Sequence, residues 1–155
     1  MTPRQRADVR KHNIGFVFQT FNLVPVLSAY ENVEMPLILL KTPPAERKAK
    51  AERILGMVGL GEFLSRRPNE MSGGQQQRVA VARALVKEPR MVLADEPTAN
   101  LDSTTGEGIL KLMQNLNREL GTTFIFSTHD KMVMDFARRL VVLKDGRVVE
   151  DRTKE

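Results

Sequence analysis

The chain has 155 residues, 41% of them hydrophobic and 28% charged, with 24 Lys and Arg against 19 Asp and Glu and no Cys. That length suits one compact domain with a sizeable core, and the absence of thiols excludes a disulfide framework or thiolate metal site and points to a reducing compartment. The net charge of +5 raises nucleic acid or anionic lipid as a partner, yet aromatics are only 5%, with no Trp and one Tyr, and the basic residues are scattered among acids. A base-stacking platform has little to be built from, so no nucleic-acid partner is expected. The longest apolar run, Met35 to Leu40, falls far short of a membrane span, and MTPRQRADVRK lacks the apolar region of a secretory signal. A cytoplasmic chain is expected.

Thr2 followed by Pro3 predicts a helix N-cap and a short polar helix ending near His12. Ile14 to Phe18 reads as a buried strand ending at Gln19. From Thr20 to Pro68 the pattern is helical and punctuated: Ser28 and Glu31 have capping-box spacing, Pro36 marks a break or kink, and Pro43-Pro44 precedes a helix running to Val58. Ser72 and Gln75 repeat the capping-box spacing at the head of a helix closed by Pro89. Met91 to Ala94 is a buried strand tipped by Asp95-Glu96. Ile109, Leu112, Met113, Leu116 and Leu120 repeat at helical spacing until Gly121. A strand over 122–128 ends at His129, and a helix through Phe136, a strand Leu140 to Leu143, an Asp145-Gly146 turn and a last strand from Arg147 follow.

Strands alternating with helices predict an α/β domain with a mainly parallel sheet, whose functional groups gather beyond the C-terminal strand ends. Gln19, Asp95-Glu96 and His129 fit that rule. An Asp and a Glu at the mouth of an apolar strand can hold a hydrated Mg²⁺ and activate a water; they read equally as a helix-capping pair. The Ser72-Gly73-Gly74-Gln75 segment can offer unpaired amides to a phosphate, or simply cap a helix. His129 can meet a terminal phosphate and Gln19 a metal or water, or each can be a polar strand end.

In order, the strand ending at Gln19, MSGGQQQR, MVLADEPT, NLD and STHD resemble the Q-loop, signature, Walker B, D-loop and switch histidine of the ATP-binding cassette (ABC) ATPases. IGFVFQTFNLVPVLSAYENVEMPL and LADEPTANLD are similar to the branch serving lipoprotein release and macrolide export. Met71 stands where the family usually has Leu, and Ala99 where this branch often has Gly.

The resemblance implies the C-terminal two thirds of a P-loop NTPase domain, a mainly parallel sheet core with an all-helical insert. It divides as 1–19, the core up to the Q-loop; 20–70, the helical subdomain; and 71–155, from the signature helix to a C-terminal hairpin. It implies ATP and Mg²⁺ as ligands, with Glu96 as general base and His129 as the γ-phosphate contact. Asp95 and Gln19 become ligands of Mg²⁺ and water, and Asp102 a cross-dimer contact. Ser72, Gly73, Gly74 and Gln75 bind the γ-phosphate of ATP held by a second ABC ATPase subunit. Phe21, Leu23 and Val24 face a transmembrane permease or are buried in the insert, which places the chain at the cytoplasmic face of the membrane.

No Gly-Lys pair occurs, so the phosphate-cradling G-x-x-x-x-G-K-[ST] loop is absent from these residues. The expectation is truncation before the Q-loop and inactivity alone; the alternative is a short non-catalytic module donating a signature half-site to a full-length partner. In the family the strand leading into that loop lies between the strand ending at His129 and Leu140 to Leu143. Those two strands are therefore expected to pair directly, to be bridged by another chain or to stand open.

Overall fold

The computed structural model describes residues 1–154. Thr2 opens α1 (Pro3–Asn13) through a reciprocal box: its hydroxyl accepts the Gln5 N–H, and its own N–H donates to the Gln5 side chain. None of α1 is buried. Its C-terminal carbonyls, Arg10 and Lys11, accept from the Lys87 ammonium at 3.0 and 2.8 Å, a cation where the helix dipole favours one.

β1 (Ile14–Val17), β2 (Met91–Asp95) and β3 (Thr123–Ser127) form a parallel sheet in that order, with Val17 beside Ala94 and Asp95 beside Ser127. All three C-terminal ends share one edge, as the α/β pattern predicts. Residues 20–28, expected within the helical stretch, form an irregular segment with no helix. The insert then comprises α2 (Ala29–Leu39), α3 (Pro44–Met57) and a 3₁₀ turn at Pro68–Glu70. Pro36 does not break α2, which continues through it. Val33 and Leu37, one turn apart across the proline, are both buried, and their packing holds the helix where Pro removes a hydrogen bond.

Helix α4 (Gly73–Leu85) is the most enclosed element: Val79, Ala80, Val81 and Ala82 are consecutive and fully buried. An apolar run covering every side of a helix turn belongs inside, and α4 packs against α2, α3, β1 and the amphipathic α5 (Ser103–Leu120). Helix α5 buries Ile109, Leu110, Met113 and Leu116 and ends at Gly121, whose φ of 67° is the left-handed C-cap that glycine adopts without strain.

A short α6 (Lys131–Phe136) leads to the antiparallel pair β4 (Arg139–Lys144) and β5 (Arg147–Thr153), with a register shift between Val142 and Leu143. Among the described residues β3 pairs only with β2 and β4 only with β5, so the open arrangement is the one observed. Ile125, Val141 and Leu143 are exposed along it. No helix among the described residues is long and apolar enough to cross a membrane.

The approach of α4 to β1 is set by Gly15: a Cβ there would lie 2.4 Å from the Ala84 carbonyl oxygen. Gly15→Ala is expected to cost about 1–3 kcal/mol in urea denaturation through forced backbone movement. Gly108→Ala, in mid-α5 with nothing within 4 Å of its Cβ position, is expected to gain up to about 1 kcal/mol. Equal effects from the two would refute this packing.

Candidate functional site

Glu96 follows β2 directly and sits at φ 42°, a left-handed conformation that a non-glycine residue holds only when its surroundings fix it. Its N–H donates to the Ser127 carbonyl at 2.9 Å, locking it to β3. The carboxylate is thereby turned onto the residues beyond β3. It accepts from the Thr128 hydroxyl at 2.8 Å, from the His129 N–H at 3.0 Å and lies 2.5 Å from His129 Nδ1. Burial pushes the Glu96 pKa up, but the bonds from Thr128 and His129 outweigh it and hold the carboxyl below the usual range. Glu96 is only 16% exposed, whereas the His129 side chain, which meets it through Nδ1, is 91% exposed. Asp95, exposed at the tip of β2, and Gln19, exposed two residues beyond β1, lie at the ends of neighbouring strands.

Ser72 caps α4 reciprocally with Gln75: the Gln75 N–H donates to the Ser72 hydroxyl at 3.3 Å and the Ser72 N–H to the Gln75 side chain at 2.9 Å. The remaining first-turn amides, Gly73 and Gly74, have no intrahelical acceptor and stand at the positive end of a thirteen-residue helix. Gly74 is glycine for a further reason, since its Cβ would fall 2.6 Å from Thr105 Cγ2 at the start of α5. Asp102 caps α5, accepting the Thr105 N–H at 3.0 Å and the Thr105 hydroxyl. Those bonds, the hydroxyl foremost, lower its pKa. The Ser72–Gln75 segment and the Asp102 turn are thus packed together on one side of the sheet's edge.

Three residues to which the sequence assigns no role of their own fix the segment after Gln19. The buried amide of Asn32 donates to the carbonyls of Val24, Leu27 and Ser28 and accepts the Val24 N–H. Arg83 donates to the carbonyls of Phe21 and Asn22, and Asn100 to that of Gln19. Burial lowers the Arg83 pKa. The signals were faint: an Asn inside an otherwise apolar helix face, and a lone Arg within VAVARALV.

Gln19 and Asp95 offer oxygen donors, and among the described residues no three His, Cys, Asp or Glu side chains converge to enclose a metal by themselves. That donor set fits Mg²⁺, which takes one or two protein oxygens and completes its shell with phosphates and water. The free amides at the head of α4 fit a phosphate.

Residues 1–99 match the family described as ABC transporter. The chain is 51% identical over 148 residues to an uncharacterized ABC transporter ATP-binding protein of Thermotoga maritima, covering 96% of this chain and 63% of that protein. It is 51% identical over 148 residues to the macrolide export ATP-binding/permease protein MacB of Syntrophobacter fumaroxidans, covering 94% of this chain and 21% of that one. The chain therefore spans less than two thirds of these relatives. A dimeric post-hydrolysis structure of the ATP-binding cassette MJ0796 with ADP and Pi superposes with a TM-score of 0.82 at 46% identity, covering 99% of this chain and 68% of that one.

Thr128→Val removes one of the bonds that depress the Glu96 pKa, so the carboxyl is expected to titrate higher, read from its ¹³Cδ shift. Because the folded-state pKa lies below the ordinary one, the stability this carboxylate contributes is complete above the ordinary carboxylate range. It drains as pH falls through the lowered value. An unchanged titration in Thr128→Val would show that the hydroxyl does not hold the charge.

Proposed function

Because the chain belongs to the ABC transporter family, we propose that it carries the Q-loop, signature, Walker B, D-loop and switch histidine of a subunit that hydrolyses ATP to drive a membrane permease. The observation that carries this reading is the Glu96–His129 pair, a partly buried carboxylate and an exposed imidazole at the C-terminal edge of a parallel sheet. The chain divides for this purpose into the core up to Gln19, a helical subdomain over 20–70 and the remainder from Met71.

Bound Mg²⁺–ATP supplies the electrophilic γ-phosphoryl group. Gln19 and Asp95 hold the cation through their side-chain oxygens. Glu96, ionised at neutral pH, orients a water and takes its proton. Its low pKa makes it a weak base while His129 and Thr128 hold it, so movement of the exposed His129 ring towards a phosphate also frees a lone pair on Glu96. The proton and the phosphate contact are thereby linked through one imidazole. Ser72, Gly73, Gly74 and Gln75 present the head of α4 to the γ-phosphate of a nucleotide held by a second subunit, with Asp102 beside them at the dimer surface. The likeness to a dimeric cassette supports the second subunit. The likeness to a macrolide export ATP-binding/permease protein supports an export permease as the partner; a lipoprotein-release permease and a peripheral place at the cytoplasmic face follow from the sequence resemblance alone.

The test uses a subunit extended to the relatives' length with a phosphate loop. Glu96→Gln is expected to keep ATP binding while turnover falls about 10²- to 10⁴-fold, the usual worth of a positioned base. Normal hydrolysis by that variant would remove Glu96 from the chemistry. Ser72→Arg is expected to abolish nucleotide-dependent dimers in gel filtration while leaving nucleotide binding to the monomer intact.

A further inference from the structure

The segment leaving β1 carries its strain in one place. Phe21 and Asn22 are consecutive non-glycine residues in the left-handed region, at φ 61° and 51°, a pairing that persists only where outside contacts over-determine it. Every carbonyl from Phe18 to Asn22 is accounted for. Those of Phe18 and Thr20 accept from within the turn, from the N–H groups of Phe21 and Asn22. The other three are held from elsewhere: Gln19 by the Asn100 side-chain amide at 2.8 Å, and Phe21 and Asn22 by the two terminal nitrogens of Arg83 at 2.8 and 2.6 Å.

Arg83 forms no ion pair among the described residues. A half-buried guanidinium spent on two neutral carbonyls sacrifices hydration without gaining a counter-charge. What it supplies is a planar fork that fixes two successive peptide groups, which a lysine cannot reproduce. Its helix, α4, begins at Ser72-Gly73-Gly74, and Asn100 sits two residues before Asp102. The elements also touch: the Phe21 ring and the Asn100 carbonyl oxygen each lie 3.9 Å from the position a Gly73 Cβ would take, and Leu101 lies 3.4 Å from it.

We infer that Arg83 and Asn100 are positioning residues for Gln19, holding the backbone of 19–22 so that the Gln19 amide meets the cation, and tying its reach to the elements that bear Ser72 and Asp102. The inference rests on the ATP-binding reading above. A displacement of α4 acts through Arg83 on the carbonyls of the strained pair itself, and one of the turn before α5 acts through Asn100 on the carbonyl of Gln19.

The test has two arms. In the chain as it stands, hydrogen exchange of the amides of Phe21, Asn22 and Val24 is expected to quicken about 5- to 10-fold in Asn100→Asp and Arg83→Met, the equivalent of one net hydrogen bond. Asn100→Asp keeps the shape and removes the donor. Amides 109–116 of α5 report that the fold persists. In the subunit of full relatives' length, loaded with a non-hydrolysable ATP analogue, Mn²⁺ affinity read by electron paramagnetic resonance is expected to fall about 3- to 10-fold in the same variants, on the same hydrogen-bond scale. Nucleotide affinity in EDTA is expected to stay unchanged. Arg83→Lys should restore neither readout. Unchanged exchange overturns the clamp, and faster exchange with unchanged Mn²⁺ affinity overturns its role in placing Gln19. A parent subunit that binds no Mn²⁺–nucleotide overturns the ATP-binding reading and this inference with it; a parent that binds, with variants that match it, overturns this inference alone.

Discussion

The distance between α4 and β1 governs where everything else can lie. With no side chain at residue 15, the backbone of α4 rests on the strand so closely that the carbonyl of Ala84 occupies the place a methyl group would need. Seated there, α4 is walled in by the insert on one flank and by α5 on the other, which is why its middle four residues are small or β-branched and wholly buried. The helix is then a rigid strut through the domain. Its head is the Ser72-Gly73-Gly74 terminus, and its body carries two arginines that reach carbonyls on other elements: Arg78 to Val58 at the end of α3, and Arg83 to the segment beyond β1.

The site itself is assembled from groups that answer one another rather than from a deep cavity. Glu96 is held by its neighbours on β3's extension, Asp102 by its own helix start, and Ser72 by Gln75. These three side chains are satisfied locally, so each piece keeps its shape by itself. Of these groups the His129 side chain is the most exposed, at 91%, against 16% for the Glu96 carboxylate it meets.

Local features were legible in the sequence because their causes are local. The boxes at Ser28 and Ser72 depend on a residue three positions on, the stop of α5 depends on Gly121, and the apolar run of Met91 to Ala94 needs only its neighbours to read as a buried strand. Gln19, Asp95, Glu96 and His129 were legible as strand tips by the same token. What escaped depends on distant partners. Arg83 meets Asn22 across 61 positions and Asn100 meets Gln19 across 81, and no spacing rule encodes either. Pro36 misleads for the same reason, since the burial of Val33 and Leu37 that carries α2 past it is a tertiary fact. The irregular run at 20–28 looks helical only while the amide of Asn32 is ignored.

That amide has a consequence for the gene. Asn32 shares its two amide hydrogens among three carbonyls and takes one from the Val24 N–H at 2.8 Å, all in a fully buried site. A short amide carries two donor hydrogens and an acceptor on one planar group, which a hydroxyl, an imidazole, a carboxylate or an ammonium does not. Every single-base change in an asparagine codon that alters the residue leads to Lys, Asp, His, Tyr, Ile, Thr or Ser, and none of these carries an amide. Each amino-acid change within one base of codon 32 therefore gives up part of the network that holds residues 24–28.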